Sequence, residues 1–68
     1  MSDHKITLQV SMTQVDDRLW SGTYTMIDYT KGQKVSGETR YQDCAQKVVS
    51  EAYTLGKINI HLNRGETI

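Results

Sequence analysis

From Lys5 to Thr13 the chain alternates, with Ile6, Leu8, Val10 and Met12 apolar and Lys5, Thr7, Gln9, Ser11 and Thr13 polar between them. A period of two is that of a strand with one buried and one wet face. Asp16-Asp17-Arg18 interrupts it with turn-forming residues, and Leu19 to Tyr29 resumes as a second strand rich in Thr, Tyr and Trp. Trp20, Tyr24 and Met26 share one face of this strand, which places Trp20 in the core. Gly22 falls on the same face, where the missing side chain either lets a helix approach or marks a bulge. Ile27 is out of phase with that set. Thr30-Lys31-Gly32-Gln33 reads as a hairpin tip, with Gly32 free to take a positive φ, and Lys34 to Glu38 returns as a short third strand.

The period then changes. Tyr41, Cys44, Ala45, Val48, Val49, Ala52 and Tyr53 recur at the spacing of one helical face, with Arg40, Asp43, Lys47, Ser50, Glu51 and Thr54 on the other. Thr39 as N-cap with Gln42 three residues on makes a capping box, and Gly56 is placed to end the helix, so the expected span is Arg40 to Leu55. Ile58, Ile60 and Leu62 alternate with Asn59, His61 and Asn63, which predicts a fourth strand over Lys57 to Asn63. A helix of that length returns the chain to the far end of the sheet, so the last strand would run parallel to the third and the first. The right-handed crossover rule inserts it beside the first. The expected fold is α+β: one domain over residues 1–68, β-β-β-α-β, with a four-stranded, mostly antiparallel sheet of order 3-2-1-4 and one amphipathic helix on one face. The open face would carry Thr7, Gln9, Ser11, Thr13, Ser21, Thr23, Thr25, Asn59, His61 and Asn63, with Tyr29 at a rim. Simple solvation accounts for such a face.

Composition narrows the function. A chain of 68 residues buries only about 60% of the surface its unfolded form exposes, which excludes a second domain and most enclosed active sites. Eight basic and eight acidic side chains leave a net charge of zero, which removes the long-range attraction for phosphate that a dedicated nucleic-acid binder carries. Lys31, Lys34, Lys57 and Arg64 would make at most a dispersed patch, with only Tyr29 available for stacking. The start, Met1 to Lys5, has no apolar run, His4 lies in a frayed terminus, and no stretch approaches the roughly 20 apolar residues of a membrane span. The expected location is the cytoplasm, in agreement with a single cysteine that has no internal partner for a disulfide.

No arrangement of nucleophile, base and orienting group is legible, nor paired carboxylates, nor a metal cage, so no catalytic, cofactor-binding or metal-binding residue is expected and the chain reads as a non-enzyme. Cys44 lies on the apolar helical face and reads as a small buried hydrophobe. His61 has no second ligand at zinc spacing and reads as a surface residue. Asp16 and Asp17 make only a fraction of a calcium site and suit a turn. The glycines fit no phosphate-binding spacing.

The remaining feature is the edge of the expected last strand, which would present unpaired backbone groups behind few gatekeeper charges. A second copy or a partner protein adding a strand would cover it, or a partner would dock on the polar face of the helix. Lys31, Lys34, Lys57, Asn59, His61, Asn63 and Arg64 are therefore the candidate partner-binding residues, and a homodimer is one expected state.

Ser36-Gly37-Glu38-Thr39, followed by Ala45 and Ala52, resembles the helix entry of HicB-type antitoxin domains. The resemblance covers about a third of the chain and departs from the pattern at Cys44, where those proteins carry an acidic residue. It implies a partial RNase H-like β-β-β-α-β fold and a toxin protein as partner; the DNA-binding segment those proteins usually add has no counterpart in this stretch. Ile58-Asn59-Ile60-His61 with Gly65 and Ile68 is similar to small bacterial and phage domains of the same topology, with a final spacing one residue longer. The expected function is a non-catalytic protein-binding module, a bacterial or phage regulator or inhibitor that occludes a partner. The alternatives are a nucleic-acid-associated regulator and a structural accessory subunit.

Overall fold

The computed structural model describes residues 5–68, so the expectation for His4 and the residues before it lies outside the described residues. One helix packs on one face of a four-stranded antiparallel sheet. The elements run β1 (Ile6–Asp16), β2 (Leu19–Asp28), β3 (Gln33–Glu38), α1 (Ala45–His61) and β4 (Glu66–Thr67).

The alternation in β1 and β2 sets the register. Partners across antiparallel strands share a face, so Leu8, Met26 and Val35 form one row beneath the helix, and Val10, Tyr24 and Gly37 the next. Asp17 and Arg18 turn the chain, and Val15 is left over as a bulge between Gln14 and Asp16. Gly32 takes φ 66 at the second hairpin. Asp28, buried under that hairpin, accepts the backbone N–H groups of Thr30 and Lys31 at 2.9 and 3.1 Å on one carboxylate oxygen. Tyr24, Met26, Val35, Ala52 and Ile60 make the core, flanked by Ile6, Leu8, Val10 and Leu55. Trp20 is only half-buried and stands outside this cluster. Ile27 causes no irregularity; it sits on the open face between Thr7 and Lys34.

The strand order is β1-β2-β3-β4, not 3-2-1-4, because Lys57 to Asn63 is no strand. Val48, Ala52, Gly56 and Ile60 form a buried stripe at intervals of four, so the helical face continues through Gly56 instead of ending there. Of the apolar residues whose alternation suggested a strand, Ile60 is 3% exposed and Ile58 48%, as a helix requires. Termination comes from Asn63, in the left-handed region at φ 57. Asn63 N–H donates to Ile60 O at 3.0 Å and Arg64 N–H to Asn59 O at 2.9 Å, the Schellman arrangement with asparagine in place of glycine. The chain then doubles back so that Glu66 and Thr67 pair antiparallel with Lys34 and Gln33. Among the described residues the free edges of the sheet are thus β1 on one side and, on the other, the short β4 with the 35–38 stretch of β3 that β4 does not reach, and the backbone of 57–61 is satisfied within the helix.

The helix also starts later than Arg40. Cys44 is its N-cap, half-buried and without a side-chain cap bond. Thr39 does not cap the helix because β2 claims it. Its N–H donates to Gly22 O at 2.8 Å, and its hydroxyl accepts Gly22 N–H at 3.1 Å. Gly22 itself allows the helix to approach: a Cβ there would lie 2.9 Å from Val48 Cγ1.

Candidate functional site

The odd-numbered positions of β1 and β2 that the alternation keeps off the core line a cleft of about 520 Å³ on the open sheet face. Its floor is a grid of hydroxyls: Ser11 stands opposite Thr23, and Thr13 opposite Ser21. Glu38, which pairs with Thr23, forms one wall, and Arg40 and Tyr41 the rim.

The rim is held by the connection from β3 to α1. Trp20 and Gln42 exchange backbone hydrogen bonds in both directions, at 2.7 and 2.8 Å, which pins the chain on either side of Arg40 and Tyr41 together with the Thr39–Gly22 bonds. Glu51, on the first half of α1, grips Arg40 twice: one carboxylate oxygen accepts its backbone N–H at 2.7 Å and the other its guanidinium Nε at 3.0 Å. Burial alone would raise the Glu51 carboxyl, but the hydrogen bonds from the side chain and backbone of Arg40, with a further one from Gln42, outweigh it and hold the group below the usual glutamate value. The Arg40 side chain remains 88% exposed, and Tyr41 is 65% exposed. The cleft therefore combines an array of hydroxyl donors and acceptors and a carboxylate, with Arg40 and Tyr41 at its rim on a fixed frame.

The residues expected to bind a partner are only partly brought together. Lys34, Asn59 and Arg64 line a second, smaller notch of about 230 Å³ with Glu66. There the Asn59 amide is committed as a donor to the Tyr24 hydroxyl at 3.0 Å. Asn63 Oδ1 accepts from the Gln33 side chain at 2.9 Å, Lys31 sits in the hairpin, and Lys57 and His61 are exposed on the helix. Asn59, His61 and Asn63, expected on the open sheet face, are not on it. Arg40, Tyr41 and Glu38 were not among the expected residues, because the spacing from Tyr41 to Val48 reads as the start of the helix and no local signal marks 39–44 as extended.

Among the described residues no group of three His, Cys, Asp or Glu side chains converges on a point that would hold a metal, and no helix is long and apolar enough to cross a membrane. Compared with protein-family models, with curated proteins and with solved structures, the chain shows no significant match.

Proposed function

We propose that the chain is a non-catalytic protein-binding module, a small regulator or inhibitor that occludes a partner protein, and that it holds the partner in the cleft under Arg40 and Tyr41. The observation that carries this reading is the rim: an exposed tyrosine and an exposed arginine, fixed by backbone pairing and by Glu51 before any partner arrives. Tyrosine and arginine dominate the binding energy of protein interfaces, and a rim that is already ordered loses little entropy on docking. The hydroxyl floor supplies donors and acceptors alike, which suits an extended peptide segment presenting alternate N–H and C=O groups. The resemblance to antitoxin domains, which act by holding another protein, points the same way.

The test is capture from a bacterial lysate with the tagged chain and with its Tyr41→Ala variant, each run with and without nuclease. One stoichiometric protein held by the parent and lost by the variant is the expected result. A mixed set that disappears with nuclease would instead assign the chain to nucleic acid and make Lys31 and Lys34 the residues of interest.

A further inference from the structure

We propose that two copies of the chain pair antiparallel through the free edges of β1, about a twofold axis at Val10. The strand is an edge of eleven residues, without proline, glycine or any charge between Lys5 and Asp16, so it lacks the devices by which exposed edges avoid pairing.

One hydrogen bond sets which of its backbone groups are free. Tyr29 N–H donates to Lys5 O at 2.9 Å, so the odd-numbered residues of β1 exchange bonds with β2 and the even-numbered ones point their N–H and C=O groups outward. Those outward residues are Ile6, Leu8, Val10, Met12 and Gln14, and their side chains lie on the helix face. Ile6, Leu8 and Val10 are only partly buried at the margin of the core, and Met12 is 41% exposed. The helix leaves this margin uncovered. Glu51 and Asn59 lie on the β3 flank of α1, beside Arg40 and the notch at Lys34, so helical geometry puts Val49 and Tyr53 on the β1 flank. Both are exposed, and they extend the apolar strip.

A second copy is the occupant because the strand complements itself. The regular run from Ile6 to Gln14 is bounded by the bulge at Val15 and has Val10 at its centre. With Val10 on the axis, Leu8 faces Met12 of the second copy and Ile6 faces its Gln14, so every outward N–H in the run meets a carbonyl and apolar side chains meet apolar ones. Lys5 of each copy arrives beside Asp16 of the other, and a chain of zero net charge offers no general repulsion. On the open face the same register sets Ser11 against Gln9 of the second copy and Thr13 against its Thr7. The floor of each cleft is thereby continued by the neighbouring copy, and both clefts open on one side of a single continuous sheet. This pairing is independent of the partner-protein reading.

Sedimentation equilibrium of the full chain, with circular dichroism as a folding control, tests it. The expected result is a species of twice the chain mass. In Met12→Lys, a change at an exposed position, the dimer weakens by about tenfold or more while the spectrum is kept, since each copy loses a methionine at the seam. Register is read on a Cys44→Ser background: a mixture of Gln9→Cys and Ser11→Cys chains forms a mixed disulfide under mild oxidation faster than either chain links to itself. A folded parent that stays monomeric at every concentration overturns the pairing and leaves the cleft reading standing, as does a dimer that binds a strand-mimicking peptide at β1 without dissociating. A dimer indifferent to Met12→Lys, or one without the mixed disulfide, also overturns it.

Discussion

Gly56 lies directly against Met26: a Cβ at position 56 would sit 2.8 Å from both Sδ and Cε of the methionine, which is fully buried. The helix crosses the central strand at this contact, and the missing side chain is what allows it. Gly56→Ala improves intrinsic helix propensity by about 1 kcal/mol, but overpacking a filled core costs about 1–3 kcal/mol. The variant is therefore expected to be less stable than the parent, as read from urea midpoints. Met26→Val, which removes the crowded end of the side chain, makes the added methyl less costly, so the double variant loses less than the sum of the singles. A stabilising Gly56→Ala contradicts this packing.

The hydroxyl of Thr39 is a structural acceptor for Gly22 N–H, so Thr39→Val, similar in shape, leaves that N–H without its partner. A loss of about 1–2 kcal/mol is expected in equilibrium unfolding, whereas Thr39→Ser keeps most of the stability. A Thr39→Ser variant less stable than Thr39→Val would show that the methyl group and not the hydroxyl matters.

The Glu51 carboxyl, held below its ordinary value by Arg40 and Gln42 against the opposing effect of burial, gives the fold a pH dependence of definite sign. A lowered folded-state value means the unfolded chain binds the proton more readily. The stabilisation is therefore complete above the ordinary glutamate range and lost as pH falls through the lowered folded value. Urea midpoints followed from neutral pH downward should fall more steeply for the parent than for Glu51→Gln, which cannot titrate. Identical slopes would remove Glu51 from the account.

Asp28 is buried with two backbone N–H groups of the hairpin on one oxygen. Asp28→Ala strands both donors and is expected to cost about 1–3 kcal/mol. Asp28→Asn retains an acceptor and loses less, as thermal melts would register.

Much of the sheet is legible along the chain because its two faces meet different solvents. The alternation from Ile6 to Met12 places β1, the Tyr24–Met26 pair marks the core side of β2, and the hydroxyl positions on the open face are readable two by two. The helix is legible only in its middle. Gly56 has two physical uses, ending a helix or admitting a neighbour, and only the position of Met26 decides between them. Ile58, Ile60 and Leu62 satisfy a period of two, yet a continuing helix needs only Ile60 inside, and the Asn63 cap lies beyond the stretch that suggests a strand. The cleft rim is hidden for a related reason. Tyr41 continues the helical spacing backward from Ala45 and Val48, but pairing of Gln42 with Trp20, distant in sequence, holds 39–42 extended. Trp20 shares its strand face with Tyr24 and Met26 but stands at the end of the sheet, beyond the core cluster, where burial is partial.

The central claim is that a partner protein occupies the cleft beneath Tyr41. The most direct measurement is site-specific photocrosslinking, with p-benzoylphenylalanine placed at position 41 in one preparation and at the exposed position 57 on the helix in another, each incubated with nuclease-treated lysate. The account predicts one discrete crosslinked protein from position 41 and none from position 57. The same adduct from both positions, or an adduct from position 57 alone, would contradict it.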